Sequence, residues 1–224
     1  MSAPAPLVAE SLMLQGPAGE LEARLDFPAA GQARQARSDP LQPAAFAVVC
    51  HPHPLFGGTL SNKVVHTLAR AFTDAGMPSL RFNFRGVGMS AGTHDEGRGE
   101  VQDALAAVRY GRERWPQARL WLAGFSFGAA VAVRASSTAE PAGLVAVAPA
   151  VDRLDIGAVM PTCPWLVLLG DADDVVSPPR MLEWARGLRP EPVTEVLAGA
   201  GHYFHGRLPE LRERVAAFLN QRPE

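Results

Sequence analysis

The sequence predicts an α/β fold: a mostly parallel, doubly wound sheet of about eight strands, helices on both faces, and an antiparallel N-terminal edge. Three observations carry this. From residue 46 onward, short continuous apolar runs alternate with segments of helical periodicity, the pattern of βαβ units whose strands are buried on both faces. Ahead of them, two strand-like segments, 10–15 and 20–27, flank Gly16-Pro17-Ala18-Gly19, which reads as a hairpin. Finally, 224 residues with 47% apolar and 20% charged side chains suit a single domain over 1–224 with a sizeable core.

Each element has a local reason. Residues 29–45, rich in Ala, Gln, Arg and Pro without periodicity, read as a long surface loop. Phe46-Ala47-Val48-Val49-Cys50 is the first buried strand. Over 62–75, Val64, Val65, Leu68, Ala69 and Phe72 fall on one helical face, and Gly76 ends the helix. A strand over 79–84 follows, then a helix over 99–115 with Val101, Leu105, Val108 and Trp115 on one side. Strand 120–123, helix 127–136 and strand 144–147 come next. Strand 165–169, helix 179–188, strand 194–197 and a terminal helix over 208–220 complete the order.

Composition removes several functional classes. With 21 basic and 23 acidic residues the net charge is −2, leaving no excess of positive charge to neutralise phosphates, so nucleic acid is not an expected partner. Cys50 and Cys163 cannot build a disulfide framework and read as small buried hydrophobes. Met1-Ser2-Ala3-Pro4-Ala5-Pro6 lacks the features of a signal peptide. The longest uncharged apolar stretch, 141–151, falls short of the ~20 residues a membrane span needs. The expectation is a cytoplasmic protein without membrane contact, monomeric or homodimeric.

Chemistry concentrates in Gly124-Phe125-Ser126-Phe127-Gly128. This is G-x-S-x-G with a strand leading in and a small-residue helix leading out, the context in which the central serine is held exposed on a strained turn. A serine needs a base and an orienting carboxylate. Candidates follow two later strands: Asp171, Asp173 and Asp174 after 165–169, and His202 and His205 after 194–197. The Phe127 N–H, at a helix N-terminus, can face a developing oxyanion. A second donor is expected from the loop after the first parallel strand, where Pro52 and Pro54 have no N–H to offer.

Together with His51-Pro52-His53-Pro54-Leu55-Phe56-Gly57-Gly58-Thr59 and Arg81-Phe82-Asn83-Phe84-Arg85-Gly86-Val87-Gly88, these motifs resemble the α/β-hydrolases, specifically small bacterial serine hydrolases related to the dienelactone hydrolases. The similarity runs from about residue 45 to the C-terminus. The resemblance places any cap between strands 144–147 and 165–169, and residues 148–164 are too few to hold one, so the cleft is expected to be lidless and open. Dienelactone hydrolases proper use a cysteine nucleophile where this chain has Ser126, so their substrate is not carried over. The resemblance implies Asp173, through G-x-x-D-x-x-V, and His202, through G-H, with Asp171 and His205 as runners-up. It also implies the His53 N–H as second oxyanion donor, with Leu55 as the alternative. Expected cleft walls are Leu55, Phe56, Phe125, Phe127, Met160, Tyr203 and Phe204.

Two decoys are set aside. His51 and His53 have no third ligand at metal-binding spacing. Gly86-Val87-Gly88-Met89-Ser90-Ala91 fits a dinucleotide pattern but has no helix opening at the motif. Arg85 is expected to make buried hydrogen bonds there. The implied activity is that of a carboxylesterase acting on small or short-acyl esters, without cofactor or metal. A peptidase, thioesterase or amidase using the same triad, or a non-catalytic binding module, are the competing readings.

Overall fold

In the computed structural model, residues 8–29, 42–152, 156 and 159–221 are described. β1 (Val8–Gly16) and β2 (Gly19–Phe27) form the expected hairpin, Gly16 facing Gly19 across the turn. Gly19 has φ +117°, a conformation that side chains rarely adopt. Leu21, Ala23 and Leu25 of β2 are buried, so the hairpin lays one face on the core.

The other strands are β3 (Ala45–Cys50), β4 (Ser79–Phe82), β5 (Arg119–Phe125), β6 (Gly143–Val147), β7 (Trp165–Gly170) and β8 (Val193–Leu197). They make one sheet in the order β1-β2-β4-β3-β5-β6-β7-β8. β2 pairs antiparallel with both β1 and β4, while the remaining pairings are parallel.

Helices α1 (Lys63–Asp74), α2 (Arg98–Arg114), α3 (Phe127–Ala139), α4 (Pro178–Gly187) and α5 (Leu208–Asn220) cover both faces. Alternation along the strands separates two cores. Phe46, Val48 and Cys50 of β3 pack with residues of α2, α3 and α4, whereas Ala45, Ala47 and Val49 pack with those of α1 and α5. Burial on both faces explains why these strands read as unbroken apolar runs.

Element ends have identifiable causes. The Asn62 carboxamide oxygen accepts the N–H groups of Val64 and Val65, capping α1, and Gly76 follows the helix with φ +83°. β4 stops short of the expected residue 84 because Phe84 donates its N–H to the His51 ring, not to a neighbouring strand. The expected long loop, 29–45, lies largely outside the described residues. Between β6 and β7 no helix stands among the described residues, and none of the described helices is long and apolar enough to cross a membrane.

The chain runs from β3 to β4 on one side and then returns to β5 on the other. The switch point therefore lies between β3 and β5. In open α/β sheets, ligands bind outside the carboxyl ends of strands at such a point, and the loops after β3 and β5 carry His53 and Ser126.

Candidate active site

Ser126 sits between β5 and α3 with φ 56° and ψ −117°, a strained backbone for a residue with a side chain. Its neighbours permit the turn. A Cβ on Gly124 would lie 2.2 Å from the Gly128 carbonyl oxygen, and one on Gly128 would lie 2.3 Å from that of His51. The two glycines thus let the turn fold on itself and press against the end of β3. The Ser126 carbonyl starts α3 by accepting from Ala129 and Ala130, while its N–H donates to Val147 at 2.9 Å.

The loops after β7 and β8 meet at this serine. His202 Nε2 is 3.1 Å from Ser126 Oγ, and His202 Nδ1 is 2.8 Å from Asp173 Oδ2. With a carboxylate at Nδ1, the ring proton belongs there, leaving the Nε2 lone pair towards the serine hydroxyl. Asp173 Oδ1 accepts the N–H groups of Val175 and Val176 at 2.9 and 2.8 Å. Burial works to raise the Asp173 pKa. The hydrogen bond from His202, those from Val176 and Val175, and attraction to the imidazole more than offset it and hold the carboxyl below the usual carboxylate range. Phe125 lies against the His202 ring at 4.9 Å and Tyr203 meets it edge-on at 5.1 Å, fixing its plane.

The runners-up are placed elsewhere. Asp171 Oδ1 accepts the Gly199 N–H at 2.6 Å, tying together the loops that carry Asp173 and His202. Asp174 is exposed. His205 is exposed too, its ring beside that of Tyr203.

The loop after β3 forms a short 3₁₀ turn, Pro54–Phe56. The Leu55 N–H donates to His53 Nδ1 at 3.2 Å and Leu55 lies outside the cleft lining, which removes it as an oxyanion donor. The His53 and Phe127 N–H groups stay as candidates, both residues lining the cleft. His51 is fully buried and spoken for. Its Nε2 accepts from Phe84 at 3.0 Å and its Nδ1 faces the Pro52 carbonyl at 2.6 Å. Among the described residues no group of three or more His, Cys, Asp or Glu is placed to hold a metal ion.

A cleft of about 370 Å³ opens over Ser126. Phe56, Phe127 and Tyr203 line it as expected, but Phe125, Phe204, Met160 and Leu55 do not. Phe125 and Phe204 are fully buried because they face the core under α1 and α5. Met160 lies ahead of β7, exposed and away from the cleft lining. Asn62, Ala150, Val175 and Val176 line the cleft without having been expected to. The signal for the valines was Asp173 itself, whose carboxylate bends the next residues into a tight turn and leaves Val175 47% exposed.

After Gly86-Val87-Gly88 no helix begins until Arg98, so nothing there offers a pyrophosphate a helix N-terminus. Arg85 instead forms a bidentate pair with the buried Asp103, at 2.7 and 3.0 Å.

Known proteins share this fold. The XC6422 α/β serine hydrolase without lid from Xanthomonas campestris superposes with a TM-score of 0.89 at 38% identity, over 98% of this chain and 97% of its own. An α/β serine hydrolase homologue from Coxiella burnetii gives 0.86 at 39%, over 93% and 96%. The uncharacterised protein RP471 of Rickettsia prowazekii is 34% identical over 79% of each chain. The family described as serine aminopeptidase, S33, matches residues 43–162, more than half of the sequence. On that match and the fold it accompanies, the chain belongs to the serine hydrolases of the α/β-hydrolase superfamily, in the family that carries that description.

Proposed function

We propose that this hydrolase is a carboxylesterase for small, short-acyl esters that carry no charge beside the scissile bond, with Ser126 as nucleophile, His202 as base and Asp173 as its orienting carboxylate. The carrying observation is the unbroken chain from Ser126 through His202 to Asp173 at the floor of a cleft whose lining includes no Asp, Glu, Lys or Arg.

His202 Nε2 takes the Ser126 proton as Oγ attacks the acyl carbon, and the N–H groups of Phe127 and His53 receive the tetrahedral oxyanion. The C–O bond to the alcohol then breaks, and the alcohol leaves with the proton from His202. Water, deprotonated by the same nitrogen, attacks the acyl-enzyme. The acid departs and Ser126 regains its proton. Neither metal nor cofactor takes part. General-base help is worth roughly 10²–10⁴-fold and one oxyanion donor roughly 10²–10³-fold.

Two features of the cleft select the substrate. Its volume, about 370 Å³, is at the small end of the ~300–1,000 Å³ range of ligand clefts, which suits a short acyl chain. Its uncharged lining bears on the aminopeptidase in the family's description. Exopeptidase action on a free N-terminus brings an ammonium group next to the scissile bond, and burying that charge without a carboxylate partner is costly. Asp173, the carboxylate behind His202, is already engaged.

Fluorophosphonate labelling, with nitrophenyl esters of increasing acyl length set against aminoacyl anilides, tests this reading. The expected result is a single adduct on Ser126, turnover highest for the shortest acyl chains, and loss of several orders of magnitude in Ser126→Ala. Faster cleavage of the anilides would replace the esterase with a peptidase, and the absence of an adduct would replace catalysis with binding.

A further inference from the structure

A second imidazole–carboxylate pair stands beside the cleft, outside the chain from Ser126 to Asp173. Glu100, in the first turn of α2, is fully buried. Its carboxylate accepts the N–H groups of Gly97 at 2.8 Å and Asp95 at 3.0 Å, bonds of the kind a capping carboxylate makes at a helix start. It also faces a third donor, His94 Nδ1, at 2.7 Å. The His94 side chain is only 8% exposed, and its Nε2 is 3.9 Å from the exposed Glu96 carboxylate.

The far face of that imidazole gives the pair its interest. The His94 ring lies 4.9 Å from the His53 ring and 5.7 Å from the Phe127 ring, which are themselves 4.8 Å apart. His53 and Phe127 are the two residues whose backbone N–H groups would hold the oxyanion. They come from different strand ends, so nothing local along the chain sets their spacing. An oxyanion pocket works only if its donors are already placed to within tenths of an ångström of where charge will develop.

We propose that His94, anchored by the buried Glu100, is a positioning residue for the oxyanion pocket: its ring backs His53 and Phe127 together and sets the distance between their N–H groups. This rests on the acyl-transfer reading of Ser126 given above. His94 touches neither substrate nor the reacting atoms. Its effect is confined to the transition state, because a ground-state carbonyl depends on the two donors far less than the oxyanion does.

The test measures ester hydrolysis per titrated active site. His94→Ala removes ring and anchor, while His94→Phe keeps a ring of similar size and loses the bond to Glu100. Both are titrated with a fluorophosphonate, so that kcat is expressed per reactive Ser126, and both are followed by thermal unfolding. The expected result is full titration, kcat per site lower by about tenfold or more in His94→Ala, KM within about twofold of wild type, and a smaller kcat loss in His94→Phe. If His94 only tied its turn to α2, melting temperature and titratable fraction would drop with kcat per site unchanged, and that result overturns the proposal. A His94→Phe enzyme with wild-type kcat removes the part assigned to Glu100. Should His94→Ala fail to fold, His94→Leu, which fills the space without a ring, takes its place and is judged by the same outcomes. Undiminished hydrolysis by Ser126→Ala would remove the underlying acyl-transfer reading, and the proposal with it, whatever the His94 variants do.

Discussion

His51 illustrates what one buried side chain does in this protein. Burial is the main force lowering its pKa, to about 4; the hydrogen bond to the Pro52 carbonyl opposes the shift and the nearby His53 adds to it. An unfolded chain takes up this proton near pH 6.5, while the native protein refuses it until about pH 4. Between these values the unfolded state binds more protons, so stability falls as the pH drops from about 6.5 to about 4, by about 3 kcal/mol in all. Urea unfolding between pH 7 and 4.5 should show this slope, and His51→Gln should flatten it. An unchanged slope in the variant would mean that His51 does not titrate as its surroundings require. In the sequence, only the family resemblance set His53 apart from His51, and nothing in the His-Pro-His-Pro loop marked His51 as the buried one. Ser126 could be read from its turn between strand and helix, whereas Asp173 and His202 were separated from Asp171, Asp174 and His205 only through the family resemblance. The cleft wall could not, because whether Phe125 or Val175 faces the cleft depends on how loops from separate strands lie against one another.

At the scale of the element, the junction of β5 and α3 couples stability to reactivity. Gly128 lies against the end of β3, where an added Cβ would come within 2.3 Å of the His51 carbonyl oxygen and 2.5 Å of that of Cys50. Both obstacles are backbone, which cannot rotate away. Gly128→Ala should therefore cost about 3 kcal/mol, a drop in melting temperature of roughly 6–12 °C for a chain of this size. It should also lower ester turnover, because the end of β3 leads into the loop bearing His53. A variant with wild-type melting temperature and activity would show that α3 does not seat on β3 this closely. The strands and helices themselves were legible to within a few residues, since buried runs and one-sided helices leave strong periodic marks. Their ends were less so: β4 closes early and α2 starts early because Phe84 bonds to His51 and Gly97 to Glu100, partners that periodicity does not reveal.

Across the whole molecule, the antiparallel hairpin and the cleft are joined by one buried ion pair. Arg81 of β4 donates to both oxygens of Asp26 of β2, at 2.7 and 3.0 Å, and to the Leu60 carbonyl at 2.7 Å. Leu60, in the loop that links β3 to α1, also gives its N–H to the Asn83 side chain at 2.8 Å. The hairpin edge thus braces the loop on which His53 and Phe56 sit. Arg81 is 3% exposed and Asp26 1%, so each charge depends on the other for solvation. Removing one should be worse than removing both. Asp26→Ala alone should destabilise by about 3–5 kcal/mol because it strands the guanidinium, whereas Asp26→Leu with Arg81→Met replaces the pair by apolar volume and should recover much of that loss. Recovery should stop short of the wild type, because the Leu60 carbonyl also loses its donor, a cost of about 1 kcal/mol. Urea unfolding of the two variants and the wild type decides it. If the double variant is as unstable as Asp26→Ala, the hydrogen bonds to Leu60 and across β2 and β4, and not the unpaired charge, set the cost of breaking this joint.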